Sequence, residues 1–249
     1  PLLFALFLVK QKQKFEIYFI GLFFILVDIL IYMSGERSAF FFLNLSTVFI
    51  LILIKEYQKF RLVTFVIAAI CIFVLSMYST NLSDRMFKDP IQEMGITKDS
   101  KKLVIFSSAH DSLIRTAFNM FKDQPLIGHG PKMFRVICKD KKIQKGVKPC
   151  DMHPHNFYVQ LLAETGIIGF LFLFSALLYV LYAALRQFKS IIFKKKRYLT
   201  DYQVCLLAGI LITVWPFSPN GNFFNNWLMI VYSLTAGFYL QSIYSKRNS

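Results

Sequence analysis

Acidic side chains are scarce in this sequence: 14 Asp and Glu stand against 29 Lys and Arg over 249 residues. Charge of both signs amounts to 17% of residues, where soluble domains carry about 25%. That shortage excludes a large soluble core as the main architecture. No carboxylates join His or Cys at metal-ligand spacing, so neither a metal centre nor any other cofactor is expected. No nucleotide-binding loop is visible, nor an internal repeat of the kind common in transporters. An initiator Met is missing, as is the charged stretch with a cleavage site that a signal peptide needs. Residues 1–9 are apolar but far short of the roughly 20 that cross a membrane. The sequence is expected to open inside a helix of a longer protein.

What is present is apolar. Hydrophobic residues make up 55% of the chain, and 28 residues are Phe. They come in runs at about 15–33, 39–54, 62–78, within 157–185, at 202–217 and at 227–240. This predicts an all-α polytopic membrane protein with about six transmembrane helices plus a partial one. The formal charge of +15 would suggest nucleic acid in a soluble chain. Here about half of the Lys and Arg sit in short clusters between apolar runs, where they set orientation. The partner is therefore a membrane, not a nucleic acid.

Four basic clusters, at 10–14, 55–61, 186–197 and 246–247, fall on one side if every run crosses once. Positive loops stay cytoplasmic, so the short turns at 34–38 and 218–226 and the long hydrophilic loop face outward. The organisation expected is 1–78, transmembrane helices with an outer turn at 34–38; 79–155, a long and partly helical outer loop; and 156–249, an interfacial helix and three transmembrane helices.

The polar chemistry gathers in 125–169, which holds three of the four His and five of the eleven Gly. Cys138 and Cys150 flank a Lys-rich insert in the outward loop. A disulfide between them is expected from an oxidising compartment, whereas Cys71 and Cys205 lie in apolar runs as small hydrophobes. Residues 112–121 show apolar side chains at helical spacing with Arg115 among them. Arg115 is either a solvated face residue or a ligand. Gly128 and Gly130 frame a turn in which His129 is a tolerated passenger. His153 and His155, two apart, lack the further ligands of a metal site. Asn156 is placed to cap the next helix, and a Gly166–Gly169 break divides an interfacial stretch from the true span. Arg37, at the outer end of a run, either snorkels and pairs with Glu36 or grips a phosphate. Asp28, inside a run, is costly if lipid-facing and is expected to face neighbouring helices.

The order Arg115, then PLIGHGPKMF, then His155-Asn156 opening FYVQLLAETGIIGF resembles the O-antigen ligase and polymerase family of bacterial envelope glycosyltransferases. The turn Ser34-Gly35-Glu36-Arg37-Ser38 is similar to that family's short outer loop with its Arg. The resemblance covers about residue 34 to the end of the fourth run. It implies a longer protein whose N-terminal half is absent here, and the Cys-bounded insert is not part of the general pattern. It further implies metal-independent transfer of a glycan from a polyprenyl diphosphate carrier to an acceptor hydroxyl, the step of lipopolysaccharide biosynthesis that takes place on the outer face of the inner membrane. The acceptor is lipid A-core or another glycan. By the same resemblance Arg37 and Arg115 hold the diphosphate, His155 is the base, and Asn156, Gly128 and Gly130 support the site. A polymerase or a protein oligosaccharyltransferase are alternatives within the family. A lipid-linked glycan flippase is the alternative outside it.

Overall fold

The computed structural model describes residues 1–9, 14–95 and 104–248. Its elements are α1 (Leu2–Val9), α2 (Lys14–Ser34), α3 (Arg37–Leu53), α4 (Gln58–Tyr78), α5 (Thr80–Ser83), a π-helical turn (Asp84–Lys88) and α6 (Asp89–Glu93). They continue with α7 (Ser108–Asp123), α8 (Phe134–Ile137), α9 (Phe157–Ile192), α10 (Asp201–Thr213) and α11 (Asn226–Asn248). No strand occurs among the described residues.

Among the described residues three helices are long and apolar enough to cross a membrane: Phe15–Ser34, Gln58–Tyr78 and Phe157–Ile192. Arg37–Leu53 and Asp201–Thr213 are apolar but shorter. At 1.5 Å per residue the 13 residues of α10 reach about 20 Å, against roughly 30 Å of hydrocarbon. Apolar side chains such as Phe19, Phe73 and Phe172 are largely exposed, as helices bathed in lipid allow. The chain is a multi-pass membrane protein. Lys10 and Lys12 of the first basic cluster, and the side chains of Lys14, Lys246 and Arg247, lie outside the described residues.

The chain forms two compact units: residues 1–86, 178–213 and 232–249 make the first, and 87–177 with 214–231 the second. In the first unit α2 packs on α4, and α10 on α1 and α3. Gly21 makes the α2–α4 approach possible, because a Cβ there would lie 2.7 Å from the Phe60 ring and 2.8 Å from Thr64. Asp28 is buried and accepts a hydrogen bond from Asn44 Nδ2 at 3.0 Å, so the costly carboxylate does face a neighbouring helix.

Arg61 departs from its sequence reading as one of the orientation charges. It is turned inward, and its guanidinium donates to the carbonyls of Ile50 (3.0 Å), Ile54 (2.7 Å) and Glu56 (2.8 Å). Gln187 (3.4 Å) and Arg197 (3.2 Å) donate to the Leu53 carbonyl. The last carbonyls of a helix have no intrahelical partner. At the end of α3, Gln58 Nε2 caps the Leu51 carbonyl (2.9 Å), and Gln187 and Arg197 cap that of Leu53. Arg61 adds a second donor to the Ile50 carbonyl, which also takes the Ile54 N–H (3.0 Å), and ties down the Ile54 and Glu56 carbonyls just beyond the helix.

In the second unit α7 presents two faces. Leu113, Ala117 and Met120 form a core with Phe134, Cys138 and Ala163. Ser112, Thr116 and Asn119, one turn apart in succession, bind the backbone of the Lys-rich insert at Val147, Lys145 and Ile143. Cys138 and Cys150 are joined by a disulfide, so the insert is fastened at both ends and along its length.

Candidate active site

The site is built where the Gly128–Gly130 turn meets the first turns of α9. Asn156 caps that helix: its Oδ1 accepts from Tyr158 N–H (3.1 Å) and Val159 N–H (3.2 Å). Its Nδ2 donates to the Pro216 carbonyl at 2.8 Å. Two turns later α9 breaks at Gly166, with φ 63° and ψ −161°. The break trades bonds rather than losing them. Ile167 N–H goes to the Pro125 carbonyl (2.9 Å), while the carbonyls of Ala163 and Glu164 accept from His129 N–H (3.2 Å) and Gly130 N–H (2.8 Å).

The two glycines of this junction are sterically required. A Cβ on Gly128 (φ 66°) would sit 2.4 Å from the Glu164 carbonyl carbon, and one on Gly166 2.3 Å from the Leu126 oxygen. Gly130, at φ 100°, has room, with Met133 at 3.5 Å. Below the turn, Glu164 is fully buried. Its carboxylate accepts from Phe134 N–H (2.8 Å), Lys132 N–H (3.0 Å) and Gln160 Nε2 (2.9 Å). A buried charge is tolerable when satisfied in this way. His129 is structural: its Nε2 lies 3.0 Å from the Met120 carbonyl at the end of α7.

His155 sits just before the cap in the left-handed region, φ 56°. Asn220 N–H donates to its carbonyl at 2.8 Å, and Asn220 Oδ1 accepts from Phe157 N–H at 3.1 Å. Gln160 is bound by Asn222 and Phe223 of the same turn. The turn at 218–226 thus closes over the start of α9 and fixes the conformation of His155.

Around the His155 ring stand His153, with centroids 4.1 Å apart, and His110, at 5.6 Å. Asp151 Oδ2 is 3.6 Å from His155 Nε2. Burial, reinforced by the neighbouring His155, lowers both His110 and His153 below the usual imidazole range. The Met152 N–H, bonded to its carboxylate, lowers Asp151. His153 Nε2 is buried without a hydrogen-bond partner. Among the described residues no three His, Cys, Asp or Glu side chains converge in a way that could hold a metal ion.

Arg115 lies on α7, about 7.5 Å along the helix axis from His110. It is half-exposed, and its Nε donates to Asp111 at 2.6 Å; that hydrogen bond raises its pKa above the ordinary arginine value. Arg37 belongs to the first unit, where it opens α3. Arg85 rests against the turn before it, its Nε 2.9 Å from where a Gly35 Cβ would be.

Sequence reasoning singled out His155, Arg115, Asn156, Gly128 and Gly130, and the structure places all five in the second unit. It missed His110, Asp151, Glu164, Gln160, Asn220 and Arg85. One signal was available. Asn156, Gln160 and Glu164 recur every four residues along an otherwise apolar helix, which marks a polar stripe facing protein rather than lipid.

No curated protein and no solved structure gives a significant match to the chain. A family model described as O-antigen ligase matches residues 20–174, which takes in the Arg37 turn, α7, the Gly128–Gly130 turn and the broken start of α9. The chain belongs to the O-antigen ligase family.

Proposed function

We propose that this chain transfers a glycan from a polyprenyl diphosphate carrier to an acceptor hydroxyl, as an O-antigen ligase, at the periplasmic face of the bacterial inner membrane. The acceptor is lipid A-core or a similar glycan. One observation supports the reading above others: a partly exposed imidazole, His155, held by backbone and cap at the head of a membrane-length helix, with Arg115 in the same unit. The leaving diphosphate gains charge as the anomeric bond breaks, and guanidinium groups stabilise it. Arg115 and Arg37 are assigned that role. His155 takes the acceptor proton, a contribution worth about 10²–10⁴ in rate. Asn156, Gly128 and Gly130 hold the base in place.

Transfer from a purified lipid-linked donor tests the assignment. His155→Ala is expected to abolish transfer with donor binding intact, and Arg115→Ala to weaken both. Lysine rescues Arg115 only in part, because it lacks the bidentate fork. Full activity in His155→Ala removes the base. A reporter active only outside the cytoplasm should work when fused near Asn222 and fail near Lys195; the reverse pattern removes the periplasmic reaction.

A further inference from the structure

We propose that Asp151 is the positioning carboxylate of His155, and that the Cys138–Cys150 disulfide holds it in register. The inference rests on the transfer reading above. Asp151 uses Oδ1 to accept Met152 N–H at 2.7 Å, which leaves Oδ2 facing His155 Nε2 at 3.6 Å. With Nε2 turned to the carboxylate, Nδ1 is the ring nitrogen left to take a proton. A base oriented by a third group is the general arrangement for activating a hydroxyl.

His110 and His153 are the two other imidazoles against His155, and burial disfavours charge on each. Ser107 Oγ lies 2.8 Å from His110 Nδ1, and the Glu93 charge acts on His110 from α6. Lys148 Nζ, 3.9 Å from Asp151 Oδ2, is the only other cation paired with Asp151 among the described residues; it is largely exposed and so screened by water. Asp151 follows Cys150 directly. The disulfide and the Ser112, Thr116 and Asn119 bonds to the insert therefore fix the carboxylate from one side. Asn220 and Asn156 fix His155 from the other.

His155 Nδ1 accepts the acceptor hydroxyl proton, and the oxygen's electron pair forms the bond to the anomeric carbon. The bond from that carbon to the diphosphate oxygen breaks, and the polyprenyl diphosphate leaves with the pair. The proton stays on the imidazolium opposite Asp151 and passes to water.

Asp151→Asn in the full chain is the test, with transfer measured across pH from a purified lipid-linked donor. The expected result is a 10- to 100-fold fall in kcat, part of what a general base contributes, with the donor KM unchanged. Removing the anion withdraws its attraction for the imidazolium formed in the step, so the acid limb of the rate profile should move to lower pH. A purely structural role would leave that limb in place. Asp151→Glu, which keeps the charge on a longer arm, should hold the limb at the wild-type position with a reduced plateau. It also serves as the informative variant if Asp151→Asn does not accumulate. Wild-type kcat and limb in Asp151→Asn, or a wild-type plateau in Asp151→Glu, overturns the inference. If His155→Ala is inactive while Asp151→Asn behaves as wild type, only this inference fails; if His155→Ala is active, the transfer reading itself fails.

Discussion

Replacing Glu164 by Gln removes one charge and changes one atom, yet it is expected to loosen the whole site. The carboxylate receives Phe134 N–H on one oxygen and Lys132 N–H with Gln160 Nε2 on the other. An amide has one accepting oxygen. Turned one way, its NH2 faces Phe134 N–H and orphans a donor on a residue with no exposure; turned the other way, it orphans two. The smaller loss orphans the Phe134 N–H and also leaves the new NH2 opposite it without an acceptor, which costs at least about 1–3 kcal/mol. It also reduces the two surviving bonds from charge-assisted to neutral, roughly halving each. The sum is about 3–5 kcal/mol. For a chain of this size each kcal/mol shifts Tm by about 2–4 °C, so the fall is on the order of 10 °C. Glu164→Ala orphans all three donors and opens a cavity, and it should fall further. Thermal unfolding of the purified protein in detergent measures both. A Glu164→Gln midpoint within about 2 °C of wild type would refute the view that this carboxylate ties the Gly130–Phe134 segment to α9.

Gly128→Ala and Gly130→Ala should separate by size of effect under the same assay. The first meets backbone at 2.4 Å that no side-chain rotation relieves, and should cost more than about 2 kcal/mol. The second pays only for its left-handed φ, about 1–2 kcal/mol, and equal effects would contradict the interlocked junction. Stability should also fall on mild acidification. His110 and His153 titrate lower in the folded protein than the unfolded value near 6.5, so the unfolded state binds more protons below that pH. Their contribution is intact above about pH 6.5 and is lost as pH drops through the folded values. Asp151, also lowered, acts only below its unfolded value near pH 4. The Tm of wild type should therefore decline between pH 7 and 5, and a His110→Gln/His153→Gln variant should decline less; parallel curves would dismiss the histidines as the cause.

The sequence alone determined the features that repeat or stay local. The apolar runs became helices because an unbroken apolar segment has no other way to satisfy its backbone in lipid. The cap at Asn156 and the break at Gly166 were legible because each depends on a residue's own side chain or dihedral freedom. The order of Arg115, the Gly128–Gly130 turn and His155-Asn156 was enough to indicate the family. What tertiary structure decided was every partner far away in the chain. Arg61 reads as one more positive charge in a basic cluster, and only folding puts the carbonyls of Ile50, Ile54 and Glu56 within its reach. Glu164 reads as a polar interruption of a span until the Lys132–Phe134 backbone is folded beneath it. His110, 45 residues before His155, and Asn220, 65 after it, carry no mark in the sequence, because an imidazole or an amide looks the same whether it faces water or another ring. Folding alone brings them to His155: residues 214–231, which carry Asn220, join 87–177 in one unit, and burial then favours polar groups that find a partner.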